Sequence, residues 1–228
     1  MQRRLWLIWV SGTTIGLGVG AGLAEVVSSA VAVESGLSNL LFSWRWQISV
    51  GLSFGTPVLL AQYLILRAFV PGAFRWPVMT LAGLLIGAAF GVFVGLVPAI
   101  WTMFLAEGCR AASLDACTSG VFLLVFPAAG GTAGAATGGV MGALLRPGPR
   151  AWSQEWTCPL SRAWAGIGVV FWAVAPLLVR PPTSDAGGLL DTDASLITVV
   201  LMGTAGLAAG AAGGALSAGH FVRTARRG

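Results

Sequence analysis

Long apolar segments alternate with short polar connectors along the whole chain. Six of these segments approach or exceed the roughly 20 residues that a helix needs to cross about 30 Å of hydrocarbon. The pattern therefore predicts an all-α, polytopic membrane protein whose six transmembrane helices form a single bundle over residues 1–228. The six predicted helices are residues 5–23, 48–66, 77–105, 121–145, 163–179 and 196–222.

Glycine recurs at every fourth position in four of the apolar segments, and each such run is called a glycine ladder below. Spacing of four places the glycines on one helix face, where the missing side chains let two backbones approach closely. We therefore predict that helices one, three, four and six form a close-packed centre, with helices two and five outside it. The ladders are Gly12, Gly16, Gly20; Gly83, Gly87, Gly91, Gly95; Gly130, Gly134, Gly138, Gly142; and Gly206, Gly210, Gly214.

The composition excludes an ordinary soluble domain. Only 9% of the 228 residues are charged and 56% are hydrophobic, whereas soluble domains carry about 25% charged residues. The net charge of +5 does not indicate nucleic-acid binding, because the arginines lie in short connectors between apolar segments. The lipid bilayer is therefore the expected partner, and nucleic acid is not.

The arginines define the predicted orientation of the bundle. All 13 basic residues are arginine, which is typical of a GC-rich bacterial genome. With the N-terminus in the cytoplasm, ten arginines fall on the cytoplasmic side and three, Arg45, Arg110 and Arg180, on the other. This positive-inside bias predicts a bacterial inner-membrane protein with both termini in the cytoplasm. The first 24 residues also resemble a cleavable signal peptide, an alternative that stays open.

Tryptophans concentrate near the ends of the predicted helices. Indole rings prefer the headgroup level of a bilayer, so these positions are typical of interfacial belts. We therefore predict interfacial anchoring rather than ligand stacking, and expect the mid-helix Trp172 to face lipid. The belt residues are Trp6, Trp76 and Trp164 at the inner interface, Trp44, Trp46 and Trp101 at the outer one, and Trp152 and Trp156 in the second inner connector.

Two stretches of the chain resemble copies of each other. In each, an apolar-arginine pair is followed by a Pro-Gly turn and then by a charged residue and a tryptophan. A third apolar-arginine pair ends the last helix, so the chain is interpreted as three helical hairpins. The pairs are Leu66-Arg67, Leu145-Arg146 and Val222-Arg223, and the tryptophans that follow the first two are Trp76 and Trp156.

Residues 61–76 read AQYLILRAFVPGAFRW. This string resembles a recurring element of uncharacterised bacterial polytopic membrane proteins, in which a glycine-rich hairpin ends in a Gln-Trp-Leu-Val-Leu-Arg-type sequence. Gln62, Tyr63, Leu66 and Arg67 occupy the corresponding positions, with tyrosine in place of tryptophan. The resemblance implies a six-helix membrane protein and brings no activity, cofactor or site residue with it.

Few polar side chains fall within the predicted helices. Gln62 lies below the headgroups and needs a hydrogen-bond partner, which is either another helix or a substrate. His220, the only histidine, is expected to be an interfacial polar residue, with axial ligation of a pigment or haem as the alternative. Arg67, Arg146 and Arg223 are expected to be snorkelling anchors that also contact anionic lipid headgroups.

The sequence contains no catalytic constellation. Cys109 and Cys117 lie in the second predicted outer loop, where they either form a disulfide or remain free thiols. No histidine accompanies them, and no serine-histidine or paired-aspartate arrangement suits nucleophilic or acid-base catalysis. The chain is therefore expected to be non-enzymatic, with no predicted metal or cofactor.

Two functions fit these observations. The first is a structural or accessory subunit of a membrane assembly, with other membrane subunits as partners and a pigment- or quinone-containing assembly as a special case. The second is a small permease or channel for a neutral solute, since prolines interrupt the second and fourth helices. This second function predicts a polar cavity near Thr56, Thr132 and Thr137.

Overall fold

The apolar segments of the sequence become helices. The computed structural model describes residues 2–35, 44–69, 73–86, 108, 115–145, 156–178 and 196–227. Within these residues the chain forms six helices and no strand, which confirms the all-helical prediction. The helices are α1 (Gln2–Ser35), α2 (Trp44–Leu66), α3 (Arg75–Ile86), α4 (Asp115–Leu145), α5 (Thr157–Leu178) and α6 (Leu196–Arg227).

Four of the described helices contain segments long and apolar enough to cross a membrane. Their outward faces carry large apolar side chains, such as Ile15 on α1, Leu60 on α2 and Leu207 on α6, which are all exposed. Apolar surface of this extent is unfavourable in water and favourable against lipid. The four segments are Gln2–Ala30, Ile48–Leu66, Thr157–Ala175 and Leu196–Arg223.

The helices form a ring in chain order. Helix α1 packs along α2, α4 along α5, and α5 along α6, while α6 returns to pack along α1 and closes the ring. The described part of α3 joins α2 to α4, because Leu84 contacts Gly55 of α2 and Gly83 lies against Met141 of α4. Helices that are adjacent in the chain are therefore also adjacent in space, and the contact between α1 and α6 closes the ring.

Neighbouring helices are antiparallel. Along α1, Gly12 lies against Ile65 of α2 and Gly20 lies against Phe54. In the same way, Gly214 of α6 lies against Val10 of α1 and Gly206 lies against Leu17. The starts of α1, α3 and α5 and the ends of α2, α4 and α6 therefore lie at one end of the ring. All arginine side chains that the structure describes are exposed at this end, which is called the arginine end below. They are Arg3, Arg4, Arg67, Arg75, Arg162 and Arg223.

Two of the glycine ladders also pack on helices that we expected to lie outside the close-packed centre. A Cβ added to Gly16 would lie 2.6 Å from Cα of Val58 in α2. In α4, a Cβ at Gly138 would lie 2.7 Å from Cα of Ser161 in α5. The prediction that helices two and five lie outside a close-packed centre is therefore wrong, because the spacing identifies a helix face but not its partner. Gly87, Gly91 and Gly95 lie outside the described residues.

Candidate functional site

Three tryptophans meet inside the ring at the arginine end. Trp9 comes from α1, Trp76 from the start of α3, and Trp156 from the position just before α5. Their ring centroids are 6.1 Å apart for Trp9 and Trp76, 6.2 Å for Trp9 and Trp156, and 4.8 Å for Trp76 and Trp156. All three side chains are buried, so each of the odd-numbered helices contributes one indole to the centre.

Two of these indole side chains are positioned by the beginning of a helix. The carbonyl oxygen of Trp156 accepts the first helical hydrogen bond of α5, from the backbone N–H of Leu160 at 2.9 Å. The backbone N–H of Trp76 donates to the carbonyl of Ala73 at 3.0 Å at the start of α3. Both tryptophans therefore sit where a helix begins, and both point inward.

Helix α6 completes this group, which is called the aromatic cluster and consists of Trp9, Trp76, Trp156, His220 and Phe221. Phe221 stacks on Trp9 with centroids 4.5 Å apart and ring planes 14° apart. The His220 ring meets Trp156 edge to face at 4.4 Å. Large aromatic side chains therefore fill the space enclosed by the six helices at the arginine end.

Apolar residues of the even-numbered helices surround the aromatic cluster. Leu66, Leu145 and Val222 are all buried in the same core. Each is the apolar member of one of the apolar-arginine pairs that the sequence repeats at the end of α2, α4 and α6. The apolar members of all three pairs therefore belong to one buried core.

Burial corrects several expectations for aromatic side chains. Trp76 and Trp164 are buried in protein and not exposed at a lipid interface, whereas Trp6 is 38% exposed. His220 was expected to be an interfacial polar residue, and this is wrong, because its side chain is 4% exposed within the aromatic cluster. Trp172 is 42% exposed, as expected for a lipid-facing position.

Trp9 and Phe221 are core residues that the sequence reasoning missed. A signal for Trp9 is present in α1, because residues spaced by four form one buried stripe on a helix. The glycine ladder of α1 lies on a neighbouring face of the same helix. The buried stripe consists of Leu5, Trp9, Thr13, Leu17 and Ala21.

Two buried hydrogen bonds link α1 to its neighbours. The indole N–H of Trp9 donates to Oγ of Ser217 in α6 at 2.9 Å, and that hydroxyl donates to the carbonyl of Gly213 at 2.8 Å. The Gln62 amide Nε2 of α2 donates to Oγ1 of Thr13 at 3.3 Å. Of the two partners proposed for Gln62, the structure therefore places another helix within hydrogen-bond distance.

The threonines expected near a polar cavity do not converge. Thr56 and Thr132 are exposed. Thr137 is buried, but its hydroxyl donates to the carbonyl of Ala133 in its own helix at 2.9 Å. Apolar side chains such as Leu17 and Val58 occupy the described interior beside the ladders. The polar cavity expected near these threonines therefore stays a prediction.

Two apolar grooves run along the outer face of α1. The groove between α1 and α2, called the α1–α2 groove, has a volume of about 660 Å³. The groove between α1 and α6, called the α1–α6 groove, has a volume of about 490 Å³. Ile15 and Val19 line both grooves and therefore form a ridge between them.

The remaining candidate residues divide by position. Arg67 and Arg223 are exposed at the arginine end. Cys109 and Arg146 lie outside the described residues, as does the side chain of Cys117, so the predicted disulfide stays a prediction. Cys158, near the start of α5, is an exposed free thiol. Among the described side chains, no three of histidine, cysteine, aspartate and glutamate cluster in a way that would hold a metal.

Together, the apolar helices, their exposed apolar faces and the antiparallel ring define a helical membrane protein. No protein-family model, curated protein or solved structure matches this chain.

Proposed function

We propose that this protein is a non-enzymatic structural or accessory subunit of a bacterial inner-membrane assembly. In this proposal all six helices cross the membrane as three hairpins, and both termini are cytoplasmic. The single observation that carries the proposal is the ridge of Ile15 and Val19 on α1, which is flanked by two lipid-facing grooves. A ridge between grooves is the surface on which another helix packs.

Glycines in the α1–α6 groove support a helix as the partner. A Cβ added to Gly22 would come no closer than 3.6 Å to its neighbours, and one at Gly203 no closer than 3.4 Å. Packing within this chain therefore accommodates a methyl group at either position. A second helix that approaches this surface would instead benefit from the missing side chains, because close backbone approach drives association in lipid.

The interior favours a structural role over transport. The aromatic cluster fills the arginine end of the ring, and the described residues beside the glycine ladders pack backbone against backbone. The alternative, a permease for a neutral solute, requires polar groups along a path. Two of its three expected threonines, Thr56 and Thr132, are exposed, and the hydroxyl of the third, Thr137, donates within its own helix, which weighs against it.

Site-specific photo-crosslinking tests for a partner helix. A benzophenone amino acid replaces Ile15 or Leu23 of α1, both of which are well exposed, and irradiation is carried out in the intact membrane. We expect one adduct of constant mass at both positions, and its loss when Gly203→Leu fills the groove. The matched control is Val169, an exposed residue of α5. Equal adducts at Val169, or no protein adduct at α1, would contradict the proposed subunit role.

The native thiol Cys158 tests the proposed orientation. This exposed residue lies near the arginine end, whereas the other two cysteines, Cys109 and Cys117, belong to the predicted outer loop. After those two are replaced by serine, a membrane-impermeant maleimide should label Cys158 in inside-out vesicles and not in intact spheroplasts. Labelling in spheroplasts would place the arginine end outside the cytoplasm.

A further inference from the structure

The α1–α2 groove extends from the arginine end toward the middle of the ring. Leu7 and Leu64 line it near the arginine end, and Val19 and Pro57 line its far end. Along α1, the distance from Leu7 to Val19 is about 18 Å, at 1.5 Å per residue. One leaflet contributes roughly 15 Å of hydrocarbon. The groove therefore spans the depth of a single leaflet, on the side of the arginine end.

Helix periodicity places Arg4 on the α1 wall of the groove. Residues four, seven and eleven positions apart lie on one helix face. Ile8, Ser11 and Ile15 stand at these positions from Arg4, and all three line the groove. Arg4 is exposed. Its guanidinium therefore lies on the face of the groove one turn beyond the last lining residue.

Arg67 occupies the matching position on the α2 wall. Leu60 and Leu64 line the groove, and Arg67 shares their face at spacings of seven and three. Helical geometry continues through Arg67, because its backbone N–H donates to the carbonyl of Tyr63 at 2.9 Å. The side chain is exposed. Both walls of the groove therefore end in an arginine.

The register of α1 and α2 brings these two arginines to the same depth. Gly16 is level with Val58. Because the helices are antiparallel, Arg67 is level with Leu7, about one turn from Arg4. The one carboxylate among the described side chains is Glu25, which lies near the opposite end of α1. The end of the groove nearest the arginine end is called its mouth below. Among the described residues there, the charged side chains are all positive.

We propose that the α1–α2 groove binds an anionic phospholipid of the leaflet at the arginine end, with one acyl chain in the groove. Arg4 and Arg67 bind its phosphate at the mouth. The length of the groove fits an acyl chain, because an acyl chain ends near the bilayer midplane. The positive charge of the two arginines fits an anionic headgroup, because opposite charges attract. This lipid site does not depend on the proposed partner helix, which packs on the side of the Ile15 and Val19 ridge that faces the α1–α6 groove.

Native mass spectrometry of the full chain in mild detergent tests the site. The probes are phosphatidylglycerol and phosphatidylcholine with identical palmitoyl and oleoyl chains, added at equal concentrations. We expect the wild-type protein to bind phosphatidylglycerol about tenfold more tightly, and the double variant Arg4→Gln/Arg67→Gln to lose this preference. The control, Arg75→Gln/Arg162→Gln, removes the same charge from exposed positions at the same end and should keep it.

A second pair of variants tests the acyl-chain part of the site. Ser11 lines the groove, so Ser11→Phe should reduce retention of both lipids at least fivefold, whereas Ala211→Phe on the exposed face of α6 should not. Equal loss of preference in both arginine double variants would overturn the proposal, as would unchanged lipid retention in Ser11→Phe. Loss of a co-purifying protein in Ser11→Phe, with lipid binding unchanged, would instead assign the groove to a partner helix. Far-UV circular dichroism of each variant establishes that it remains folded.

Discussion

The arginine end and the middle of the ring hold helices together by opposite means. At the arginine end, large rings such as Trp9, Trp76 and Trp156 fill the space between helices. In the middle, glycines such as Gly16 and Gly130 remove the side chain, and the backbones meet. Lipid offers no hydrophobic driving force for helix association, so both regions depend on van der Waals contact. One region therefore requires side-chain volume, and the other requires its absence.

The largest expected effect comes from removing volume at the arginine end. Trp9→Ala deletes the ring that stacks on Phe221 and the hydrogen bond to Ser217. Replacement of a buried tryptophan by alanine lowers the free energy of unfolding by about 3–5 kcal/mol. We expect a loss of this size, measured by detergent-denaturant titration in micelles and followed by far-UV circular dichroism.

Trp6→Ala is the matched control for this change. Trp6 lies on the same helix but is 38% exposed, so its loss is expected to cost less than about 1 kcal/mol. If both variants lost the same stability, the aromatic cluster would not be the core of the arginine end.

An intermediate effect is expected from adding volume to a glycine ladder, at the contact between α4 and α5. Gly138→Ala places a methyl group 2.7 Å from Cα of Ser161, where backbone has to move. Overpacking of this kind lowers the free energy of unfolding by about 1–3 kcal/mol. The same titration measures it.

The adjacent residue supplies the control for the glycine ladder. A Cβ at Gly139 has nothing within 4 Å, and alanine is the better helix former. Gly139→Ala is therefore expected to leave stability unchanged or to raise it by up to about 1 kcal/mol. A stabilised Gly138→Ala, or a destabilised Gly139→Ala, would contradict backbone contact as the basis of this interface.

The smallest expected effect lies between the two regions. Gln62 and Thr13 form their hydrogen bond between the level of Trp9 and the level of Gly16. Hydrogen bonds between membrane helices contribute about 0.6 kcal/mol on average. A double-mutant cycle with Gln62→Leu and Thr13→Val should give a coupling energy of this size. Zero coupling would show that the junction between the regions is stabilised by packing alone.

Sequence periodicity predicted which faces of the helices pack, but not which helices meet. The spacing of Gly130, Gly134, Gly138 and Gly142 identifies one face of α4, and that face does pack closely, on α5. A glycine has no side chain whose shape or charge specifies a partner. The neighbour is set instead by connector length and by the order of helices in the ring, which a residue pattern within one helix does not contain.

The burial of tryptophan side chains is harder to predict from sequence than the packing face of a glycine ladder. Trp6 and Trp76 both stand near helix starts, within two residues of an arginine, and the sequence pattern does not distinguish them. One is exposed and the other is buried, because the rotation of each helix about its own axis decides whether an indole faces lipid or the interior. The two α1 grooves were also beyond sequence reasoning, since each forms between two helices and belongs to neither alone.

Closure of the ring has a consequence for the order in which the chain assembles during synthesis. The glycine face of α6 packs on α1, yet these are the last and first of the six helices to leave the ribosome. At 5–20 residues per second, roughly 8–30 s separate the end of α1 from the start of α6. Throughout this interval the face of α1 that packs on α6 has no partner from this chain. The first of the six helices to be made therefore gains its second neighbour last.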